Sequence, residues 1–349
     1  MTNPSRPVSE PPRGPVRLPR ALRQMGAKGE YKHRSGWPYV VSALAEAEGF
    51  ADCLVDDYVE RTFATNPAPS GLSLRRLVKR AASVVGGTSA GWREPWVGVF
   101  HNPPHFPAWY SPAAHPQAIF AGQAFQQSLP YLRGAVALSE YLAAWLRDEL
   151  SVPAIAIKHP TETPPRRFDV AAFAESDRRR MVQVGWYLRN YRAIYQVAVP
   201  AWLQKVHLEQ HGTAIQEARL RTDRHAPHRL RPDQGEVEVV SWLEDEAYDR
   251  LLTESIVFLE LLDASANNAV IEAIVRETPI VVNRHPAVVE YLGPAYPLYY
   301  DSLDEVHDLL TMARIEAANR HLREMDKGDL TVEHFIDRLR TFVNGVCTG

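Results

Sequence analysis

The sequence predicts an α/β protein built from two parallel-sheet domains, and three observations carry that prediction. Its 349 residues exceed one ordinary domain and suit two of about 150 residues each. With 45% hydrophobic and 23% charged residues, it has apolar material for real cores and reads as globular rather than disordered. From about Glu94 onward, short apolar runs alternate with amphipathic stretches, the pattern of βαβ units.

Charge and cysteine content narrow the class. The 39 Lys and Arg nearly balance the 42 Asp and Glu, so no global field argues for nucleic acid or an anionic membrane, and any anion must be held by a local site. No stretch approaches the roughly 20 apolar residues of a membrane span. Residues 1–23 are rich in Pro and Arg and lack the apolar run of a signal peptide. They read as a flexible arm within 1–25, with a basic arm touching an anionic surface as the alternative. Cys53 and Cys347 lie far apart without a CxxC pair; the expectation is a reducing cytoplasm and no structural disulfide.

The elements follow in chain order. Gly29-Glu30-Tyr31-Lys32-His33-Arg34-Ser35-Gly36-Trp37 precedes a helix predicted over 38–48, with Pro38 in its first turn. Residues 85–91 are glycine-rich but follow no clear strand, so a flexible loop accounts for them. Trp96-Val97-Gly98-Val99-Phe100 is a buried strand. It ends at His101-Asn102-Pro103-Pro104, which cannot continue a ladder, so the His101 imidazole belongs at a strand's carboxyl end, where α/β folds keep their chemistry. Residues 134–138 read as a strand, Ser139 as an N-cap, 140–150 as a helix and 154–157 as a strand. The stretch 159–167, with Pro160, Pro164 and Pro165, is the linker. This division gives domains over 26–160 and 161–335, with a C-terminal helix and tail over 336–349 that can pack back on the first domain.

The second series begins with Met181-Val182-Gln183-Val184, which runs into Gly185-Trp186-Tyr187-Leu188-Arg189 and a helix from about Tyr191. Strands are predicted over 237–240, 256–259 and 279–282, and helices over about 244–252 and 268–276. Residues 219–232, with five Arg and two His, read as a basic loop, either solvated or a lid over phosphate.

The region from Ser255-Ile256-Val257-Phe258-Leu259 through Glu272-Ala273-Ile274, Glu277-Thr278-Pro279-Ile280-Val281-Val282 and Glu290-Tyr291-Leu292-Gly293 resembles the donor-binding region of retaining GT-B glycosyltransferases of the GT4-like group. The likeness extends to residues 136–142 and to 182–185 with the following helix, roughly residues 96–301 in all. It implies the GT-B fold, two Rossmann-like domains facing each other across a cleft. It also implies transfer of a sugar from a nucleoside diphosphate donor to a hydroxyl acceptor, such as a glycan, a lipid-linked sugar or a small natural product. Retention of configuration is implied, with neither cofactor nor metal and with no nucleic acid as partner.

Physical reasoning supports the donor side beside the resemblance. A helix starting near Asn268 points free N–H groups and its positive dipole end at Ser265, Ala266, Asn267 and Asn268, a site ready for a diphosphate. Glu272 lies one turn inside, in a helix whose neighbours are apolar, so an unpaired carboxylate there is costly. The resemblance assigns it to the donor's ribose hydroxyls. It also places a basic residue on the diphosphate, here Arg189 beside Gly185, with Arg192 one turn further or merely on the surface. The family's acidic contact to the transferred sugar falls on Ala264, so the role passes to Asp263 by a one-residue shift, or the fold carries a different chemistry.

His101 matches a histidine that binds the donor sugar or shapes the acceptor site in that family; otherwise it caps a strand end. Tyr31, His33, Gly36 and Trp37 resemble the loop that lines the acceptor side, where aromatic residues near a helix start also serve as core. There is no Asp-x-Asp, no Cys/His cluster for zinc and no Walker loop in the sequence. Two alternatives remain: a nucleotide-sugar epimerase or non-glycosidic coupling enzyme on the same fold, and a non-catalytic sugar-nucleotide or glycan-binding protein.

Overall fold

The structure is a computed structural model that describes residues 13–19, 36–64, 91–225, 235–241 and 243–348. Tyr31, His33 and the glycine-rich residues 85–90 lie outside the described residues, as do 226–232 of the basic segment. Two parallel sheets organise the described chain. The first has the order β1 (Leu54–Asp56), β2 (Trp96–Phe100), β3 (Leu132–Ala137) and β4 (Ala154–Ala156). The second has the order β10 (Tyr299–Tyr300), β9 (Ile280–Asn283), β8 (Ser255–Leu259), β5 (Arg180–Gln183), β6 (Gln204–Leu208) and β7 (Val237–Val240). Every pairing between these strands is parallel, and β2 and β8 are buried along their whole length, as strands covered on both faces must be.

Local chemistry explains the helices that frame the cleft. α1 (Trp37–Ala45) starts at Gly36 with Pro38 in its first turn, where the missing proline N–H costs no hydrogen bond. α2 (Val59–Phe63) follows β1 directly. α3 (Glu140–Leu150) is capped by Ser139, whose Oγ accepts from the Leu142 N–H at 3.4 Å. α4 (Thr213–His225) and α5 (Asp245–Thr253) flank β7 in sequence. α6 (Asn268–Arg276) is capped by Asn267, and α7 (Pro286–Leu292) by His285. α8 (Val332–Cys347) returns to the first domain, where Phe335, Leu339 and Val343 are fully buried with Trp37, Leu44 and Val97.

Four expectations are corrected. Residues 13–19 are not a free arm: Val16 and Leu18 are buried beside β1, Arg17 bridges to Leu54, and its guanidinium meets Asp52 and Glu94 at 2.7 Å each. The period-two spacing of Val16 and Leu18 lets this segment lie alongside the sheet. Residues 219–225 are not loop but the end of α4, since a run of Ala, Glu, Gln, Arg and Leu favours helix over coil. The helix expected from Tyr191 is a single turn, Ala193–Gln196, after which Val197 is extended. Cys53 and Cys347 form a disulfide, with Cα atoms 6.2 Å apart, because α8 packs its end against the start of β1. The inference of a reducing compartment from separated cysteines therefore loses its premise. Among the described residues, no helix is long and apolar enough to cross a membrane.

Side chains of the second domain fasten the first. Glu290 on α7 accepts from the Glu140 and Tyr141 N–H groups at 2.6 and 2.7 Å, so it caps α3 from across the boundary. The Tyr291 hydroxyl donates to the Leu138 carbonyl at 2.7 Å and accepts from the His159 N–H at 2.9 Å. Replacing Glu290 by Ala strands two helix N–H groups and is expected to lower stability by about 1 kcal/mol, with Glu290→Gln losing about half as much. Urea unfolding followed by circular dichroism reads this as a lowered midpoint; an unmoved midpoint would show that the cap contributes nothing.

Candidate functional site

The order of the second sheet locates the site. From β5 the chain first winds outward to β6 and β7, then returns to β8 and winds the other way to β9 and β10. The two directions part between β5 and β8, and at such a switch point the loops leaving the strands' carboxyl ends open a crevice. A cavity of about 570 Å³ lies there, with Gly185, Arg189, Asn268 and Glu272 on one wall and His101 and His159 on the other.

Arg189 dominates the second-domain wall. Its guanidinium is buried and donates from Nη2 to Asn267 Oδ1 at 2.8 Å, while Nε is buried without a partner among the described residues. It folds back over Gly185: a Cβ at residue 185 would stand 1.2 Å from Arg189 Nη1, and the backbone there has φ +73°. Only glycine meets both conditions. Leu188 completes the turn with φ 54°, an uncommon conformation for a leucine. Its N–H donates to the Tyr110 hydroxyl of the first domain at 2.9 Å, and its carbonyl accepts from the Leu262 N–H at 2.8 Å. Burial depresses the Arg189 pKa, opposed by the nearby Tyr248, Glu272 and Tyr110.

Glu272 sits on α6, 1% exposed. Tyr248 of α5 donates to its Oε2 at 2.6 Å, and burial beside this carboxylate pushes the Tyr248 phenol well above its ordinary pKa. Behind them Arg276 is wholly buried, pairs with Asp249 at 2.5 Å and donates to the Glu272 carbonyl at 3.2 Å. Asn267 Oδ1 accepts from the Ala269 and Val270 N–H groups as well as from Arg189, so the cap of α6 and the cation share one oxygen. The wall thus offers a guanidinium and a buried carboxylate at a helix mouth, a combination suited to an anion beside a hydroxyl-bearing group.

The opposite wall is built at the end of β1. Glu60 is buried and accepts from the His101 and Asn102 N–H groups at 2.7 Å each, and its Oε2 has no partner among the described residues. Burial pushes its carboxyl up to about 7 and that of Asp56 up to about 6. Asp57 accepts from the Trp37 indole at 2.8 Å, and its carbonyl faces His101 Nε2 at 3.0 Å. His101 stacks on Tyr58 with ring centroids 3.8 Å apart, and burial holds its pKa well below the ordinary value.

Of the residues singled out in the sequence, Gly36, Trp37, His101, Gly185, Arg189, Asn267, Asn268 and Glu272 meet at this cavity. Three do not line it. Arg192 is engaged by both oxygens of Asp223, at 2.9 and 3.1 Å. Asp263 accepts from the His105 N–H at 2.8 Å and from its own loop at Ala264, and lies 2.9 Å from His285 Nε2, so it fastens the domain boundary. Ser265 is buried against Ser139. Tyr248, Glu60 and His159 are wall residues that no motif pointed to. The run Leu54-Val55-Asp56-Asp57, apolar residues ending in acids, is the one available signal for Glu60.

No protein-family model matches the chain, and no curated protein matches it in sequence. Solved structures do resemble it. HepE from Anabaena in complex with UDP and glucose is 9% identical with a TM-score of 0.53, over 88% of this chain and 80% of that one. A trehalose-6-phosphate structure from E. coli bound with UDP-2-fluoro glucose is 11% identical with a TM-score of 0.52, over 84% and 73%. TarM from S. aureus in complex with UDP is 11% identical with a TM-score of 0.52, over 72% of this chain and 51% of that one. At such identities the likeness establishes the fold, which is the GT-B fold of two facing parallel-sheet domains.

Two outcomes follow from the geometry. Gly185→Ala would drive a methyl group into the Arg189 guanidinium, so urea unfolding should show a lowered midpoint; an unmoved midpoint would show that the guanidinium can leave this position without cost. The raised Glu60 carboxyl binds its proton more tightly in the folded than in the unfolded chain. Its contribution is therefore lost as pH rises from the ordinary carboxyl range through about 7. In Glu60→Gln the fall in Tm from pH 5 to pH 8 should shrink, and an equal fall in both proteins would contradict this assignment.

Proposed function

We propose that the chain transfers a sugar from a nucleoside diphosphate donor to a hydroxyl acceptor, with retention of configuration and without a metal. One observation carries the reading: a buried, half-partnered arginine and a buried glutamate share the cavity at the switch point of the second sheet. Glu272, oriented by Tyr248, accepts hydrogen bonds from the ribose hydroxyls of the donor. Arg189 and the positive end of α6 hold the diphosphate, and the guanidinium supplies the charge that other enzymes take from a divalent cation. As the bond to the sugar breaks, negative charge grows on the departing phosphate. Stabilisation there lowers the barrier more than it strengthens ground-state binding. His101 and Trp37 belong to the acceptor side. The resemblance of the region from Ser255 to Gly293 supports retention, and the UDP, glucose and UDP-2-fluoro glucose in the similar structures support the donor class.

One observation favours a second reading. Asp263, the acid that the resemblance sets against the transferred sugar, is held at the domain boundary by His105 and His285. A nucleotide-sugar enzyme that epimerises or couples its substrate without glycosyl transfer would use the same donor wall.

The test is nucleoside diphosphate release from UDP-, GDP-, ADP- and dTDP-sugars with simple glycosides as acceptors. Release from one donor is expected to fall about a hundredfold in kcat/KM in Glu272→Ala, which removes its hydrogen bonds and strands Tyr248. A comparable loss is expected in Arg189→Lys, which lacks the planar fork, and EDTA should leave the parent's rate unchanged. Tight nucleotide binding without release, or release of an isomerised sugar nucleotide, would replace this reading with the second one.

A further inference from the structure

His159 lies in the segment between the two sheets and belongs to no motif read from the sequence. It is 4% exposed, and its ring is part of the cavity wall. Nδ1 lies 2.8 Å from the Pro160 carbonyl oxygen; a carbonyl only accepts, so Nδ1 carries the hydrogen and Nε2 is a bare lone pair in the neutral ring. That nitrogen has no hydrogen-bond partner among the described residues, nor is it one of the sealed, unpartnered atoms of the interior. The ring is held in place: it packs edge-on against Trp37 with centroids 5.4 Å apart, and its backbone N–H is fixed by Tyr291.

His101 repeats the arrangement. Its Nε2 donates to the Asp57 carbonyl at 3.0 Å, which leaves Nδ1 as the acceptor, and its ring meets Trp37 at 4.3 Å. Both rings stay neutral at physiological pH, since burial pushes His159 down to about 4 and His101 well below its ordinary value. The wall therefore presents two fixed hydrogen-bond acceptors on one indole, with the carboxyl groups of Asp57 and Glu60 behind them. Hydroxyl groups suit two lone pairs; a phosphate or carboxylate has no hydrogen to give and meets repulsion. Arg61, a cation on this wall, has its guanidinium over the Tyr58 ring at 4.2 Å.

We infer that His159 and His101 form a hydroxyl-accepting subsite that selects a neutral, polyhydroxylated acceptor over an anionic one. The inference rests on the donor assignment above, which places the acceptor on this wall. Each ring nitrogen takes a hydrogen bond from one acceptor hydroxyl, and His159 positions the acceptor without exchanging a proton with it.

The test uses the full chain with ring-15N-labelled histidine, titrated with methyl glucoside, mannoside and galactoside and with the corresponding hexose 6-phosphates. The expected result is a saturable movement of the His159 Nε2 resonance with at least one methyl hexoside and none with the 6-phosphates. His159→Phe keeps the ring and removes the acceptor, so it should weaken hexoside binding about tenfold, the worth of one hydrogen bond. UDP, GDP and ADP affinities should be unmoved, and His159→Gln should recover part of the loss. In turnover the change should fall on the acceptor KM, with kcat little altered.

Preferred binding of the 6-phosphates, weakened in Arg61→Ala, would overturn the inference. So would equal losses of hexoside and nucleotide affinity in His159→Phe, a shift confined to the donor KM, or no hexoside response in the parent. Should His159→Phe fail to fold, the titration of the parent decides. Failure of the parent to bind any nucleoside diphosphate would instead refute the donor assignment, and the hexoside arm reports independently of it.

Discussion

The site depends on one constraint: a guanidinium taken out of water at Arg189 has to be given partners and room. Room comes from Gly185, whose missing Cβ is the space that the guanidinium fills. Partners come from Asn267 directly and, through the local field, from Glu272 and Tyr248. The turn that delivers the side chain needs Leu188 in a left-handed conformation, and that turn is held by the Tyr110 hydroxyl of the first domain. A buried charge with incomplete pairing costs several kcal/mol unless a ligand completes it. The second-domain wall is therefore not self-contained, since the turn at Leu188 is held from across the cleft.

The two walls divide the electrostatic labour. The second-domain wall concentrates a cation and a helix's positive end around one buried carboxylate. The first-domain wall holds neutral imidazoles, carboxyl groups whose pKa burial raises, and the Arg61 guanidinium stacked over Tyr58. Such a gradient places anionic and hydroxyl-rich portions of bound molecules on opposite sides. Contacts outside these walls, among them Glu290 on the N-terminus of α3 and Asp263 on the His105 N–H, hold the domains together. Asp263, which the resemblance offers as a sugar contact through a one-residue shift, is bound at that boundary by the His105 N–H and lies beside His285.

Much of this was legible in the sequence, and the failures have physical causes. The strands around Trp96, Ala135, Met181 and Ile256 are apolar runs long enough to stand out, and α3 and α6 carry both a cap and a buried stripe. β1 and β10 span only three and two residues, too short for a periodicity to register. β6 reads Gln204-Lys205-Val206-His207-Leu208, and its polar residues mask burial that the structure achieves by bonding Lys205 to two carbonyls and His207 to Tyr195. The end of α4 was obscured by arginines that compose well with helix but look like a charged loop.

What the sequence determined by itself is the local grammar of the second-domain wall: a strand that runs into Gly185, an Asn267 cap, and a glutamate one turn into an apolar helix. Those features follow from backbone preferences and periodicities that act over a few neighbouring residues. The tertiary structure alone decided which distant groups would meet. Tyr248 came to Glu272, His159 turned a lone pair toward the cavity, Glu60 was sealed beneath His101, and Cys53 met Cys347. Burial and partner choice arise from the packing of both domains at once. No window along the chain contains them, because the partners are tens to hundreds of residues apart and each pairing is worth only what the surrounding desolvation makes it.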